Sequence, residues 1–186
     1  MRIAVLGPQN TGKSTFIKDF LTEFPHYTTP PETYRDLVEE KELEVNQLTS
    51  VDSQKAIRDF MFGQLRYNTA YNVIFDRCPV DFIAYAMCAL DQDDIDINDS
   101  EVSERFPDIK EALNNLDLIL FLPITKENSI EYTEENPAYR KLADKYFKKL
   151  YRDDICDIFP KYNHPKVIEI YGDRLARIKT IKDYLI

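Results

Sequence analysis

Residues 7–15 read Gly7-Pro8-Gln9-Asn10-Thr11-Gly12-Lys13-Ser14-Thr15, which fits the spacing GxxxxGK[ST] and directly follows the apolar run Ile3-Ala4-Val5-Leu6. This stretch constrains the fold more than any other, because it demands a buried strand, a tight loop and a helix in that order. The helix is legible: Phe16, Ile17, Phe20, Leu21 and Phe24 recur at helical spacing before Pro25 stops the run. In such a loop the backbone N–H groups turn inward toward an anion, so Gly7 and Gly12 fall where a Cβ would obstruct the loop or its approach. The chain has four glycines, and two of them occupy these motif positions. The helix N-terminus adds partial positive charge. The motif therefore predicts that Lys13 reaches the β- and γ-phosphates of ATP and that Ser14 ligates Mg²⁺. Asn10, Thr11 and Thr15 complete the expected cradle.

Downstream, residues 27–29 predict a short second strand, followed by Pro30-Pro31-Glu32-Thr33-Tyr34-Arg35 and a helix-like acidic stretch to residue 44. Glu32 thus lies just past a strand end, where ligands collect in open α/β sheets. A carboxylate favouring a helix N-terminus is the structural alternative. Residues 46–50 read as a polar connection with Ser50 or Asp52 capping the next helix, which presents Ile57, Phe60, Met61 and Leu65 on one apolar face. Residues 72–77 form a compact apolar strand that delivers Asp76 and Arg77 at its end. A carboxylate so placed beside a phosphate loop can hold Mg²⁺, the alternative being a salt bridge between neighbours. Pro79 suits the first turn of the following helix, on which Asp81 and Tyr85 share a face.

Residues 91–104 carry seven acidic side chains and no basic one, which predicts a solvated, mobile loop. Residues 118–122 form another apolar strand, ended by Pro123. A polar stretch and the start of a helix near Pro137 then read as a lid over about residues 125–140. A last strand over 165–170, a turn at Tyr171-Gly172-Asp173 and a closing helix complete the chain. Strands alternating with helices predict an α/β fold of three layers, a five-stranded parallel sheet with helices on both faces.

At 186 residues and 44% hydrophobic, the chain fits a single domain over 1–186. It contains no apolar run of membrane-spanning length and enters its first strand without the pattern of a secretory signal, so a cytoplasmic protein is expected. Cys78, Cys88 and Cys156 show no metal-site spacing and read as reduced structural thiols, and the isolated His26 and His164 are assigned no chemistry. A net charge of −9 opposes non-specific nucleic-acid binding, although Lys141, Lys145, Lys148, Lys149 and Arg152 make one basic region.

Together, residues 7–14, Pro31-Glu32 followed by Arg35, and Phe75-Asp76-Arg77 followed by Asp81 and Ala84-Tyr85 resemble a known group. It is the AAA-type ATPase/kinase family containing the ribosylnicotinamide kinase domain of bacterial NAD-biosynthesis regulators. More broadly the chain is similar to P-loop nucleoside and nucleotide kinases, thymidylate-kinase-like enzymes included. The resemblance implies strand order 2-3-1-4-5, an acceptor pocket opposite the phosphate loop and a mobile lid. It implies that Glu32 takes the proton of an acceptor hydroxyl, that Asp76 lies near Mg²⁺ and that Arg77 lies near phosphate oxygens. Arg35, Asp81 and Tyr85 would line the acceptor side, and Tyr171, Gly172 and Arg174 would pass near the adenine. Family lids usually open with an arginine; residues 126–135 contain none, and Arg140 and Lys141 are the nearest substitutes.

The expected activity is transfer of the γ-phosphoryl group of Mg-ATP to a nucleoside-type hydroxyl or a nucleotide phosphate. One alternative places the acceptor hydroxyl on a modified base in DNA, as in phage enzymes acting on hydroxymethyluracil. Another is an ATP-binding switch read by a partner protein. Oligomeric state is left open.

Overall fold

The computed structural model describes residues 1–42, 51–92, 100–125, 137–162 and 165–185. The expected connection at 46–50, the middle of the acidic stretch (93–99), most of the lid (126–136) and His164 lie outside the described residues.

Strand β1 (Arg2–Leu6) leads through the phosphate loop into helix α1 (Lys13–Glu23), followed by α2 (Tyr34–Glu40) and α3 (Val51–Tyr67). Strand β2 (Val73–Asp76) and helix α4 (Val80–Gln92) come next, then two further helices, α5 (Ser100–Ser103) and α6 (Phe106–Leu113). Strand β3 (Leu118–Phe121), helix α7 (Pro137–Asp153), strand β4 (Lys166–Glu169) and helix α8 (Arg174–Leu185) follow.

The sheet is parallel and four-stranded, in the order β2-β1-β3-β4. This corrects the expected five strands. Where the second strand should lie, only Thr28 pairs, as a single parallel bridge to Val73. Tyr27 is buried, and Pro30-Pro31 lack the N–H groups a ladder needs, so pairing stops after one residue. The four strands that form keep the expected sequence, with the Thr28 bridge outside β2.

Alternation along the strands divides the core into two layers. Ala4, Leu6, Phe75, Ile119 and Phe121 face a cluster built with α4, α6 and α7. Ile3, Val5, Ile74, Leu118 and Leu120 face the opposite cluster, where Phe16 and Phe20 of α1 meet Ile181 of α8. Ile3 through Leu6 are wholly buried, as expected for a central parallel strand covered on both faces. A smaller cluster of Leu37, Ile57 and Met61 joins α2 to α3. The acidic stretch is also corrected in part: Asp91 ends within α4, and residues 100–103 are helical with Val102 buried. Apolar anchoring of one residue outweighs the segment's solvating composition there.

The carboxyl ends of β1 and β2 are brought side by side, with Val5 in register with Asp76, and Leu6 is in register with Phe121 of β3. Everything the phosphate motif needs therefore emerges at one edge of the sheet.

Candidate active site

The loop between β1 and α1 turns through left-handed conformations at Asn10 (φ 56°) and Gly12 (φ 84°), with Gly7 at φ 141°. A Cβ at Gly7 would lie 2.3 Å from the carbonyl oxygen of Leu122, so this glycine is required by the close passage of the chain leaving β3. Gly12 caps α1 without any side-chain hydrogen bond to its free N–H groups. The N–H groups of such a helix end suit an anion. Thr11 is buried and its hydroxyl donates to the Pro8 carbonyl at 3.0 Å, bracing the loop from within. Thr15 is exposed.

Lys13 is buried and its Nζ donates to the carbonyls of Gly7 (2.8 Å) and Pro8 (2.6 Å), folding the side chain across the loop. Burial pushes its ammonium down to about 7; Arg77 and Arg35 add to that fall, and Asp81 and Asp76 oppose it. The site concentrates more positive charge than it solvates, and a polyanion bound there would relieve the strain. Ser14 is exposed, and its hydroxyl accepts from the Arg35 guanidinium at 3.1 Å, so the first turn of α2 reaches the phosphate loop.

Across the loop, Asp76 ends β2 with Oδ1 buried and without a hydrogen-bond partner among the described residues. Arg77 follows at φ 81°, an uncommon conformation for a residue other than glycine and one that redirects its side chain at the strand end. Its guanidinium donates to Asp81 at 2.8 Å and lies 4.7 Å from the Tyr34 ring and 5.6 Å from the Tyr85 ring. Asp81 is fully buried. Burial drives its carboxyl up, while Arg77 and Lys13 pull it back. The structure thus places Asp81 beneath Arg77, orienting it from one turn along α4, and Tyr85 beside it.

Glu32 is exposed at the entrance to α2, and its backbone carbonyl accepts from the Gln64 side chain of α3. The capping role belongs to neighbours: Thr33 and Asp36 form a reciprocal capping box. The hydrogen-bonded cap of this helix end is thus supplied by residues other than Glu32.

Two arginines from distant parts of the chain hold the outer side of the loop. Arg140 of α7 donates to the carbonyls of Gln9 (2.9 Å) and Asn10 (3.2 Å), and Arg177 of α8 donates to Thr11 (2.8 Å) and Gly172 (2.8 Å). The structure does not bring Arg174 to the loop; its guanidinium is taken up by Asp19 of α1 at 2.6 and 2.9 Å. Tyr171 is exposed after β4. Sequence reading missed Tyr34 and Arg177. The signal for Arg177 was its place four residues before Ile181, a cation on the buried stripe of α8. Tyr34 stood between two residues already singled out, Glu32 and Arg35.

The donors present suit Mg²⁺: the Ser14 hydroxyl and the strand-end Asp76 carboxylate are hard ligands, this ion keeps several waters and relies on substrate phosphates, and among the described residues both Asp76 and the deeper Asp81 have a buried Oδ1 without a hydrogen-bond partner. The described residues hold no cluster of three or more His, Cys, Asp or Glu side chains able to hold a metal ion. No helix among them is long and apolar enough to cross a membrane. Burial raises the thiols of Cys78, Cys88 and Cys156, as suits unreactive packing residues.

No curated protein sequence matches the chain significantly. Among solved structures it is similar to deoxyadenosine kinase from M. mycoides with bound dATP, at TM-score 0.72 and 19% identity, covering 100% of this chain and 98% of that one. It is similar to NadR protein in complex with NR, at TM-score 0.64 and 15% identity over 98% of this chain and 51% of that one. Thymidylate kinase from Candida albicans follows the same fold, at TM-score 0.56 and 16% identity over 99% and 90% of the two chains. At such identities the likeness is one of fold. Residues 2–173 match the sequence model of the AAA domain family, and with its phosphate loop, flanking Asp76-Arg77 pair and kinase-like architecture the chain belongs to that family.

Proposed function

We propose that this protein transfers the γ-phosphoryl group of Mg-ATP to a nucleoside-type acceptor, at a hydroxyl or at a nucleotide phosphate. The carrying observation is the convergence at two adjacent strand ends of Lys13, Ser14, the unpartnered Asp76 oxygen and the tyrosine-flanked Arg77. The structural neighbours named above as kinases support the reading at the level of fold.

Phosphoryl transfer needs little covalent chemistry from the protein and much positioning and charge neutralisation. The N–H groups of the loop and of the first turn of α1 cradle phosphate oxygens. Lys13 exchanges its two carbonyl partners for phosphate oxygens and is held in its charged form by them. Ser14 and Asp76 would hold Mg²⁺, and that ion when bound would supply charge neutralisation at the phosphates. Arg77, fixed by Asp81 and the two tyrosine rings, approaches from the acceptor side. Arg35 and Tyr85 border that side, and Glu32 accepts the proton of an acceptor hydroxyl. Tyr171 lies toward the nucleotide base. Arg140 acts from the lid side of the loop, where it already grips Gln9 and Asn10.

The DNA-directed alternative draws less support, because the basic region on α7 is partly neutralised: Lys148 pairs with Asp144 and Arg152 with Glu169. The decisive assay follows labelled γ-phosphate from ATP onto nucleosides, nucleotides, ribosylnicotinamide and hydroxymethyluracil-containing DNA. A phosphorylated nucleoside or nucleotide supports the proposal. ATP binding without any phosphorylated product would instead indicate a switch. For a hydroxyl acceptor, Glu32→Gln should lower kcat by roughly 10²- to 10⁴-fold with ATP affinity little changed. A phosphate acceptor needs no base and should tolerate the change in kcat.

A further inference from the structure

Three consecutive carbonyls of the phosphate loop, those of Gln9, Asn10 and Thr11, are each gripped from outside by a guanidinium. In a trans peptide the C=O and the following N–H point in opposite directions. Holding these carbonyls outward therefore turns the N–H groups of Asn10, Thr11 and Gly12 toward the concave side, where phosphate binds. A cation on the carbonyl also polarises the peptide and strengthens its N–H as a donor.

Of the two arginines, Arg177 is the more deeply set: it is 5% exposed, and its bond to Thr11 spans 166 residues of sequence and is itself buried. Its Nε reaches the carbonyl of Gly172, in the turn between β4 and α8. That turn is fixed in its own right. Gly172 adopts φ 85°, a Cβ there would lie 2.9 Å from Cβ of Ala176, and Asp173 caps the Ala176 N–H at 2.9 Å. One side chain therefore ties an anchored turn to the outer edge of the loop. A guanidinium does this because it presents several donors in a rigid plane, whereas an ammonium is a single point.

We propose that Arg177 is a positioning residue for the phosphate loop, setting from α8 the orientation of the N–H groups that receive the nucleotide's phosphates. It touches neither substrate nor reacting atoms, and it acts through the loop. The proposal rests on the reading of that loop as a triphosphate site.

The test compares wild type, Arg177→Lys and Arg177→Met as full chains, by calorimetric titration with inorganic tripolyphosphate and with ATP, and by amide hydrogen exchange. In a folded Arg177→Met protein, tripolyphosphate and ATP should each bind roughly 10-fold more weakly or worse, the scale of losing hydrogen bonds from a charged donor. The KM for ATP should rise with acceptor KM unchanged. Exchange at residues 10–12 should accelerate while residues 3–6 in β1 stay protected, and Arg177→Lys should fall between. A folded Arg177→Met protein that keeps tripolyphosphate affinity within about twofold, whatever its melting temperature, overturns the proposal. If the Met variant does not fold, the Lys variant decides: unchanged exchange at residues 10–12 overturns the role and acceleration there upholds it. If wild type binds neither ligand, the triphosphate reading fails, and the exchange comparison alone decides whether Arg177 orders the loop.

Discussion

At the scale of the residue, the two informative positions are Lys13 and Asp76, for opposite electrostatic reasons. Lys13 is a buried cation whose folded-state pKa is depressed. Between its depressed value and the ordinary value near 10.5, the unfolded chain binds the proton more fully than the folded chain. This group therefore makes wild-type stability rise with pH across that window. The melting temperature of Lys13→Met relative to wild type should accordingly be highest near neutral pH and decline as pH rises toward about 10. A difference that stays flat would mean that Lys13 is not depressed. In activity, Lys13→Ala should remain folded and lose at least ~100-fold in phosphoryl transfer. Asp76 instead holds a buried oxygen with no hydrogen-bond partner among the described residues. Asp76→Asn should raise the Mg²⁺ concentration required for activity while leaving the nucleotide-free melting temperature little changed. An unchanged Mg²⁺ requirement together with a large drop in melting temperature would mark Asp76 as a structural ion-pair residue.

At the scale of the element, the phosphate loop depends on its neighbours as much as on its motif. Gly7 is squeezed against Leu122, and the loop's carbonyls are held by α7 and α8. Gly7→Ala must relieve both a 2.3 Å approach and an unfavourable φ. It should cost about 1–3 kcal/mol in denaturant unfolding and weaken ATP binding. Full stability with normal ATP affinity would show that the loop and the β3 exit can separate freely. The strands of this unit were legible because central parallel strands are continuous apolar runs, and Ile3 to Leu6 or Leu118 to Phe121 bury on both faces. The second strand was not. Residues 27–29 have strand-like composition, but a strand is made by its partner, and Pro30-Pro31 leave only Thr28 able to pair with β2.

At the scale of the molecule, the site draws on β1, α1, α2, β2, α4, α7 and α8, so ligand binding couples to the stability of the whole fold. ATP with Mg²⁺ at about 100 times its Kd should stabilise the protein by about 2.7 kcal/mol, read as a rise in melting temperature that a chelator reduces. No shift at saturating concentrations of both would sink the nucleotide reading. Sequence alone determined the phosphate loop, the apolar strands and the Asp76-Arg77 pair, because each is a local pattern: fixed spacing, continuous burial, a charge at a strand end. Only the tertiary structure decided the separate roles of Arg174 and Arg177, which stand one turn apart on α8 and are not told apart by the local sequence. Arg174 turns to Asp19 at the surface, and Arg177 turns inward to Thr11. It likewise decided that Asp81 supports Arg77 from beneath, because burial and partner choice arise when helix α4 packs onto the sheet. Spacing along a chain encodes which side chains share an element; which of them meet a loop more than 130 residues away is settled by how the elements pack.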